Sequence, residues 1–143
     1  MWIGLRPGRA EPMVPVESAA VTVEDGVVGD RYRSKGVRTR QVTLIEAEDL
    51  AAIAAYMGLA AVSPEQLRRN VVVSGLNLLA LKDRRFRLGS AVLEMTGQCH
   101  PCSRLEDLIG RGGYNAARGH GGITARVIES GEIRIGDPIA RLD

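Results

Sequence analysis

Apolar residues in this chain fall mostly in short strand-like runs separated by turn signals of Gly, Pro and Asp, and that rhythm predicts many short strands with little helix. The segments Met1 to Arg6, Met13 to Val23, Arg40 to Ile45, Asn70 to Ser74, Arg85 to Leu88, Ala91 to Thr96, Ile123 to Ile128, Glu132 to Ile135 and Ile139 to Leu142 carry the signal. Several alternate apolar with polar, as in Gln41-Val42-Thr43-Leu44, or are rich in the β-branched residues of buried strands. Pro12 and Pro15 place the second segment at a sheet edge or bulge, because proline cannot donate to a ladder. Ser130-Gly131 reads as a hairpin turn between the last two long candidates, and Gly136-Asp137-Pro138 as a further break. Many short strands at such spacing predict a barrel or closed sandwich.

The helical period emerges clearly once, from Ala47 to Met57, where Leu50, Ile53, Ala54 and Met57 share a face and Gly58 supplies the stop. A short helical turn is expected over Pro64 to Arg68, with Ser63 as cap and Pro64 at the first helical position. A third helix is expected after the cysteines. There Ser103-Arg104-Leu105-Glu106 matches a capping box, Leu105, Leu108 and Ile109 form the buried stripe, and Gly110 ends it. No repeat, linker or low-complexity stretch interrupts residues 1–143, which read as a single mainly β domain with short helices (α+β).

Composition adds limits. With 45% hydrophobic and 25% charged residues the chain has the makings of a globular core. Its longest nearly apolar run, Leu50 to Val62, is shorter than the roughly 20 residues of a membrane-spanning helix. No signal-peptide pattern opens it, so a cytoplasmic location with reduced thiols and no membrane partner is expected. The net charge of +2 hides clustering, for Arg31, Arg33, Lys35, Arg38 and Arg40 lie within ten residues, and Arg84, Arg85 and Arg87 follow Lys82. Such clusters attract anions. With one Phe, three Tyr and one Trp there are few platforms for stacked bases, so a small phosphate-bearing ligand fits better than nucleic acid.

Chemistry concentrates late in the chain. Cys99, His100, Cys102 and His120 are all the cysteines and histidines it has. They share their stretch with Gly112-Gly113 and with Gly119-His120-Gly121-Gly122, and glycine at that density suggests backbone held close to a bound group. His120, Gly121 and Gly122 are therefore candidate ligand contacts. The predicted helix start beside Cys102, with Arg104 nearby, favours its thiolate, which metal ligation or nucleophilic attack requires. Zinc is disfavoured, since a structural site wants four ligands and the chain has one C-x-x-C. A thioredoxin-like dithiol of Cys99 and Cys102 matches the spacing, but that fold carries its motif early, after a first strand. The remaining reading is one cysteine ligating a metal cofactor whose anionic organic part is held by glycines and basic residues.

Six ordered segments sharpen this. Gly29-Asp30-Arg31, Gln41-Val42-Thr43-Leu44, Leu67-Arg68-Arg69-Asn70-Val71-Val72-Val73-Ser74-Gly75, Leu88-Gly89-Ser90-Ala91-Val92-Leu93-Glu94, Pro101-Cys102-Ser103-Arg104-Leu105 and Gly131-Glu132-Ile133-Arg134-Ile135-Gly136-Asp137 together resemble a MOSC domain. That family is named for the C-terminal part of molybdenum cofactor sulfurases, and the resemblance spans about Gly4 to Ile139.

The resemblance implies a β-barrel-like fold and binding of the molybdenum cofactor, a phosphate-bearing molybdopterin. It maps cofactor contacts to Arg68 and Asn70, and the metal ligand or sulfur-carrying thiol to Cys102, with Arg31, Arg33 and Lys35 as further phosphate contacts. Its implied activities are reduction of N-hydroxylated small molecules, served by a separate electron-donor protein, or carriage of sulfur as a Cys102 persulfide loaded by a sulfur-donor protein. A non-catalytic cofactor-binding module and a Cys99/Cys102 dithiol redox protein are the alternatives. Pyridoxal phosphate is not expected, because the sulfurases carry it on an additional domain.

Overall fold

A computed structural model describes residues 1–8, 11–31, 38–101 and 104–142. The larger of two sheets runs in the order β11-β7-β8-β9-β5-β6-β1-β2, comprising β1 (Trp2–Leu5), β2 (Val14–Val16), β5 (Val42–Glu46), β6 (Val71–Val73), β7 (Arg85–Leu88), β8 (Ala91–Gln98), β9 (Ile123–Glu129) and β11 (Ile139–Leu142). The smaller has the order β10-β3-β4, from β10 (Gly131–Arg134), β3 (Ser18–Thr22) and β4 (Gly26–Val27). The neighbours are antiparallel except for β5 and β6, which run parallel through the crossover that contains α1 (Ala47–Met57) and α2 (Pro64–Leu67). Two five-residue helices, α3 (Leu105–Ile109) and α4 (Gly113–Ala117), lie between β8 and β9 in sequence.

Three layers result, and alternation along the strands explains them. Leu44, Val71 and Val73 enter a core shared with Val21, Val27 and Ile133 of the small sheet. Their neighbours Ile45 and Val72 point the other way, into a second core with Leu50 and Ile53 of α1, Leu67 of α2, Leu105 and Ile109 of α3, and Ala117 of α4. Both faces of β5 and β6 are thus covered, which is why Val71-Val72-Val73 is an unbroken apolar run. Leu50 and Ile53 each contribute about 2 kcal/mol on burial, enough to dock an eleven-residue helix that would be marginal alone.

The mainly β, α+β class and the α1 boundaries match the pattern of the sequence, and Pro15 sits on edge strand β2. Two expectations need correction. Among the described residues no closed barrel forms, for β2 and β11 end the larger sheet without pairing to each other. Ser130-Gly131 is not a hairpin turn: Glu129 pairs with Val92 in the large sheet, whereas Gly131 pairs with Val21 in the small one, so the chain changes sheets there. The segment Met13 to Val23 likewise divides at Glu17 between the two sheets. No helix of the described residues is long and apolar enough to cross a membrane.

The sheets are joined by a polar stitch. Gln41 is 1% exposed, donates through Nε2 to the Val23 carbonyl at 2.9 Å, and accepts the Val127 N–H at 2.8 Å. Gln41→Ala leaves both backbone groups unpaired inside the fold, so a loss of about 2–3 kcal/mol in denaturant-induced unfolding is the expected outcome.

Candidate functional site

An arginine in an unfavourable backbone conformation marks the site. Ser63 accepts the Gln66 N–H while the Gln66 side chain accepts the Ser63 N–H, a capping box that launches α2 with Pro64 in its first turn. The helix ends after one turn at Arg68, whose φ is +58°. Glycine or asparagine usually fills such a left-handed position, and another residue there costs on the order of 1 kcal/mol. The Arg68 guanidinium reaches back across β2's leading loop, donating to the carbonyls of Glu11 at 2.6 Å and Gly8 at 3.0 Å. Burial depresses its proton affinity first, followed by repulsion from Arg6 and Arg31, with Arg104 adding to them and Asp30 opposing. Three other arginines thus act on Arg68 through their charge, and one of them, Arg104, lies two residues beyond Cys102 in the sequence.

Behind the arginines stands a buried amide. Asn70, fully buried at the entry to β6, accepts through Oδ1 from the Thr43 N–H and hydroxyl, both at 3.1 Å. Its Nδ2 donates to the Gly4 carbonyl at 3.2 Å and to Asp30 Oδ1 at 3.1 Å. All four side-chain hydrogen-bonding positions of the amide are therefore taken by the protein. Asp30 in turn receives the Arg6 backbone N–H at 2.7 Å, Arg6 Nε at 3.1 Å and, on Oδ2, Arg6 Nη2 at 2.8 Å. Asn70 therefore acts on the cluster through Asp30 and Arg6.

The segment that leads to the thiols is held from a different side. β8 passes a bulge near Met95 to Gly97 and runs into Cys99, which is 4% exposed and donates its N–H to the Gly122 carbonyl at 2.9 Å. A Cβ on Gly121 would collide with the Cys99 carbonyl oxygen, and one on Gly122, at φ +87°, with that of Leu44. These glycines permit a close approach of chain to chain. Arg69, next to Arg68, donates from Nε to the Gly121 carbonyl at 2.8 Å and from Nη1 to Leu67 at 2.6 Å. His120 Nδ1 sits 2.8 Å from Asp49 Oδ1 in the first turn of α1. The carboxylate of Glu106 is spent forward, accepting from the amides of Gly112 at 2.7 Å and Tyr114 at 3.1 Å, so it caps α4.

Of the residues singled out in the sequence, Arg31 and Arg68 come together, with Asn70 as a buried support. His120, Gly121 and Gly122 lie against α1, Arg69, Cys99 and Leu44. Arg33, Lys35 and Cys102, and the capping residue Ser103, lie outside the described residues. Arg6 and Asp30 were not evident as site residues. Their only local signal is a lone acid between Gly29 and Arg31 and an arginine ending an apolar strand. Among the described residues no three His, Cys, Asp or Glu side chains are arranged to hold a metal ion.

An open-edged sheet with a covered parallel pair, and arginines gathered about the end of α2, define the fold and the candidate site. A MOSC domain family model matches residues 31–140, and the chain belongs to that family. The fold is shared with the YuaD protein of Bacillus subtilis, at 22% identity and a TM-score of 0.85 over 97% of each chain. It is also similar to YiiM from Geobacillus stearothermophilus (17% identity, TM-score 0.77, 99% of this chain and 73% of that one). YiiM from Escherichia coli gives 19% identity and a TM-score of 0.73 over 100% and 70%. No curated protein matches in sequence.

Asn70→Ala strands the Thr43, Gly4 and Asp30 groups in the core. Equilibrium unfolding in urea should register a loss of about 3 kcal/mol, larger than for truncating a surface amide.

Proposed function

We propose that this chain binds the molybdenum cofactor and reduces N-hydroxylated small molecules with it. One observation carries the reading: Arg68, on strained backbone and partly buried, bears the repulsion of Arg6, Arg31 and Arg104. A partly buried guanidinium that is repelled by other cations is stabilised by an incoming anion, and guanidinium forks suit phosphate oxygens and the acceptor edge of a pterin. The group implied by the family therefore fits the residues present. Arg68, Arg31 and Arg6 would hold its phosphate and pterin, with Arg33 and Lys35 as further contacts, and Cys102 would offer a thiolate to the metal.

When bound, the cofactor supplies a metal that accepts an oxygen atom. Overall, R–NHOH with two electrons and two protons gives R–NH2 and water, the electrons coming from an external reduced flavin or iron–sulfur protein. The chain's own part is to neutralise the anionic cofactor with its arginines and to offer the Cys102 thiolate. A cavity of about 190 Å³ at the end of β8, lined by residues including Lys82, Asp83, Gln98 and His100, offers room for a small polar substrate. Dithiol cycling would need Cys99 to exchange with Cys102, and the burial of Cys99 weighs against it.

The test is metal analysis of protein made in a cofactor-competent host, combined with an assay of N-hydroxylamine reduction driven by a reduced viologen. Near-stoichiometric molybdenum with turnover is expected, falling about tenfold or more in Cys102→Ser. Molybdenum without turnover would leave a binding module, and labile sulfur without molybdenum a carrier.

A further inference from the structure

The Gly119 to Gly122 segment touches both halves of the site: its Gly122 carbonyl takes the Cys99 N–H, and its Gly121 carbonyl takes Arg69 Nε, one residue from Arg68. The His120 N–H also bonds the Ala117 carbonyl, and Gly121 and Gly122 pack against Cys99 and Leu44, so the segment is held by its backbone on one side. His120 is its one large side chain, and it is anchored at Nδ1 by Asp49 while its ring rests 5.7 Å from that of Tyr56 on the same helix. We propose that Asp49 and His120 are positioning residues, a clamp that fastens this segment to α1 and thereby sets the place of Cys99 at the end of β8, and that Glu46 makes the clamp sensitive to pH.

The charged groups around Asp49 give the direction. Glu46 occupies the N-cap position of α1 without a capping hydrogen bond, its side chain instead facing Asp49 one turn on, and the Leu78 N–H approaches it from the 3₁₀ turn Leu78–Leu81. Glu48 adds negative charge from the same turn of α1, with one oxygen held by the Gly75 N–H at 2.9 Å. His120 faces Asp49 from the opposite side. Burial, then the charge of Asp49, raises the Glu46 pKa to about 7. A carboxyl whose folded pKa is raised stabilises the fold while it keeps its proton and loses that contribution as pH climbs through the folded value. Below about pH 7 a protonated Glu46 donates to Asp49 and leaves Asp49 in place for His120. Above it three carboxylates repel within one helical turn, and the clamp loosens.

This inference concerns the segment that leads to the proposed thiol ligand, but its test needs neither cofactor nor substrate. The measurement is amide hydrogen exchange of the cofactor-free protein, read as protection factors for the Cys99 amide and, as a reference for global opening, the Val127 amide held by Gln41. His120→Ala and Asp49→Ala should lower Cys99 protection about tenfold or more relative to Val127. His120→Asn, which keeps an N–H near the Nδ1 position, should restore it. In the wild type the same ratio should fall between about pH 6 and 8, and Glu46→Gln, which donates to Asp49 at every pH, should hold it constant. Equal loss at Cys99 and Val127, or no rescue by asparagine, would overturn the clamp. A pH dependence that survives Glu46→Gln would overturn the role of Glu46. Loss of molybdenum binding with the exchange pattern intact would instead count against the proposed function alone.

Discussion

One buried amide fixes where this site can be. Asn70 ties Thr43 of β5 to Gly4 of β1 and to Asp30, and its own residue begins β6, so three strands and one loop meet at a single side chain. A primary amide has two donors and two acceptor lone pairs, and here all are used. The pairing leaves one arrangement of the strand ends with no polar group stranded, because moving any of the three would unmake a buried hydrogen bond. Asp30 passes that constraint to Arg6 through three hydrogen bonds, and Arg6 stands beside Arg68. The cationic cluster is thereby placed by the core and not by a loop of its own.

Arg68 shows the opposite relation between stability and function. The chain ends a one-turn helix on a left-handed residue, where glycine would be the cheaper choice, and places a long cation there instead. Its half-buried guanidinium is held by the carbonyls of Gly8 and Glu11 and repelled by the charges of three other arginines. On the proposed function, strain and repulsion already present at Arg68 would preorganise it for an anion, since neither cost need be met again on binding.

Local pattern made much of the fold legible. Helix α1 could be bounded because Leu50, Ile53, Ala54 and Met57 repeat at helical spacing and Gly58 takes the left-handed cap. Strand positions followed from alternation, yet alternation carries no record of which sheet a strand joins. The hairpin expected at Ser130-Gly131 failed for this reason: β10 pairs with β3, over a hundred residues earlier, and not with β9. The two-residue β4 is too short to show a period, and α4 begins among glycines that read as loop. Site residues divide in the same way. Arg31 and Arg68 stood in recognisable motifs, whereas the roles of Arg6 and Asp30 depend on partners from 24 to 40 positions away. Glu106 looked like half of a capping box, but both its oxygens hold the next helix.

The central claim is that Arg68 occupies strained backbone for the sake of an anion. Arg68→Gly tests it directly, by measuring unfolding stability and the affinity of cofactor-free protein for molybdopterin side by side. Relief of the left-handed strain should offset the two lost carbonyl contacts, leaving stability within about 1 kcal/mol of the wild type. Affinity should drop by about tenfold or more, with a weaker dependence on salt. Unchanged affinity and salt dependence in a stably folded Arg68→Gly protein would contradict the account.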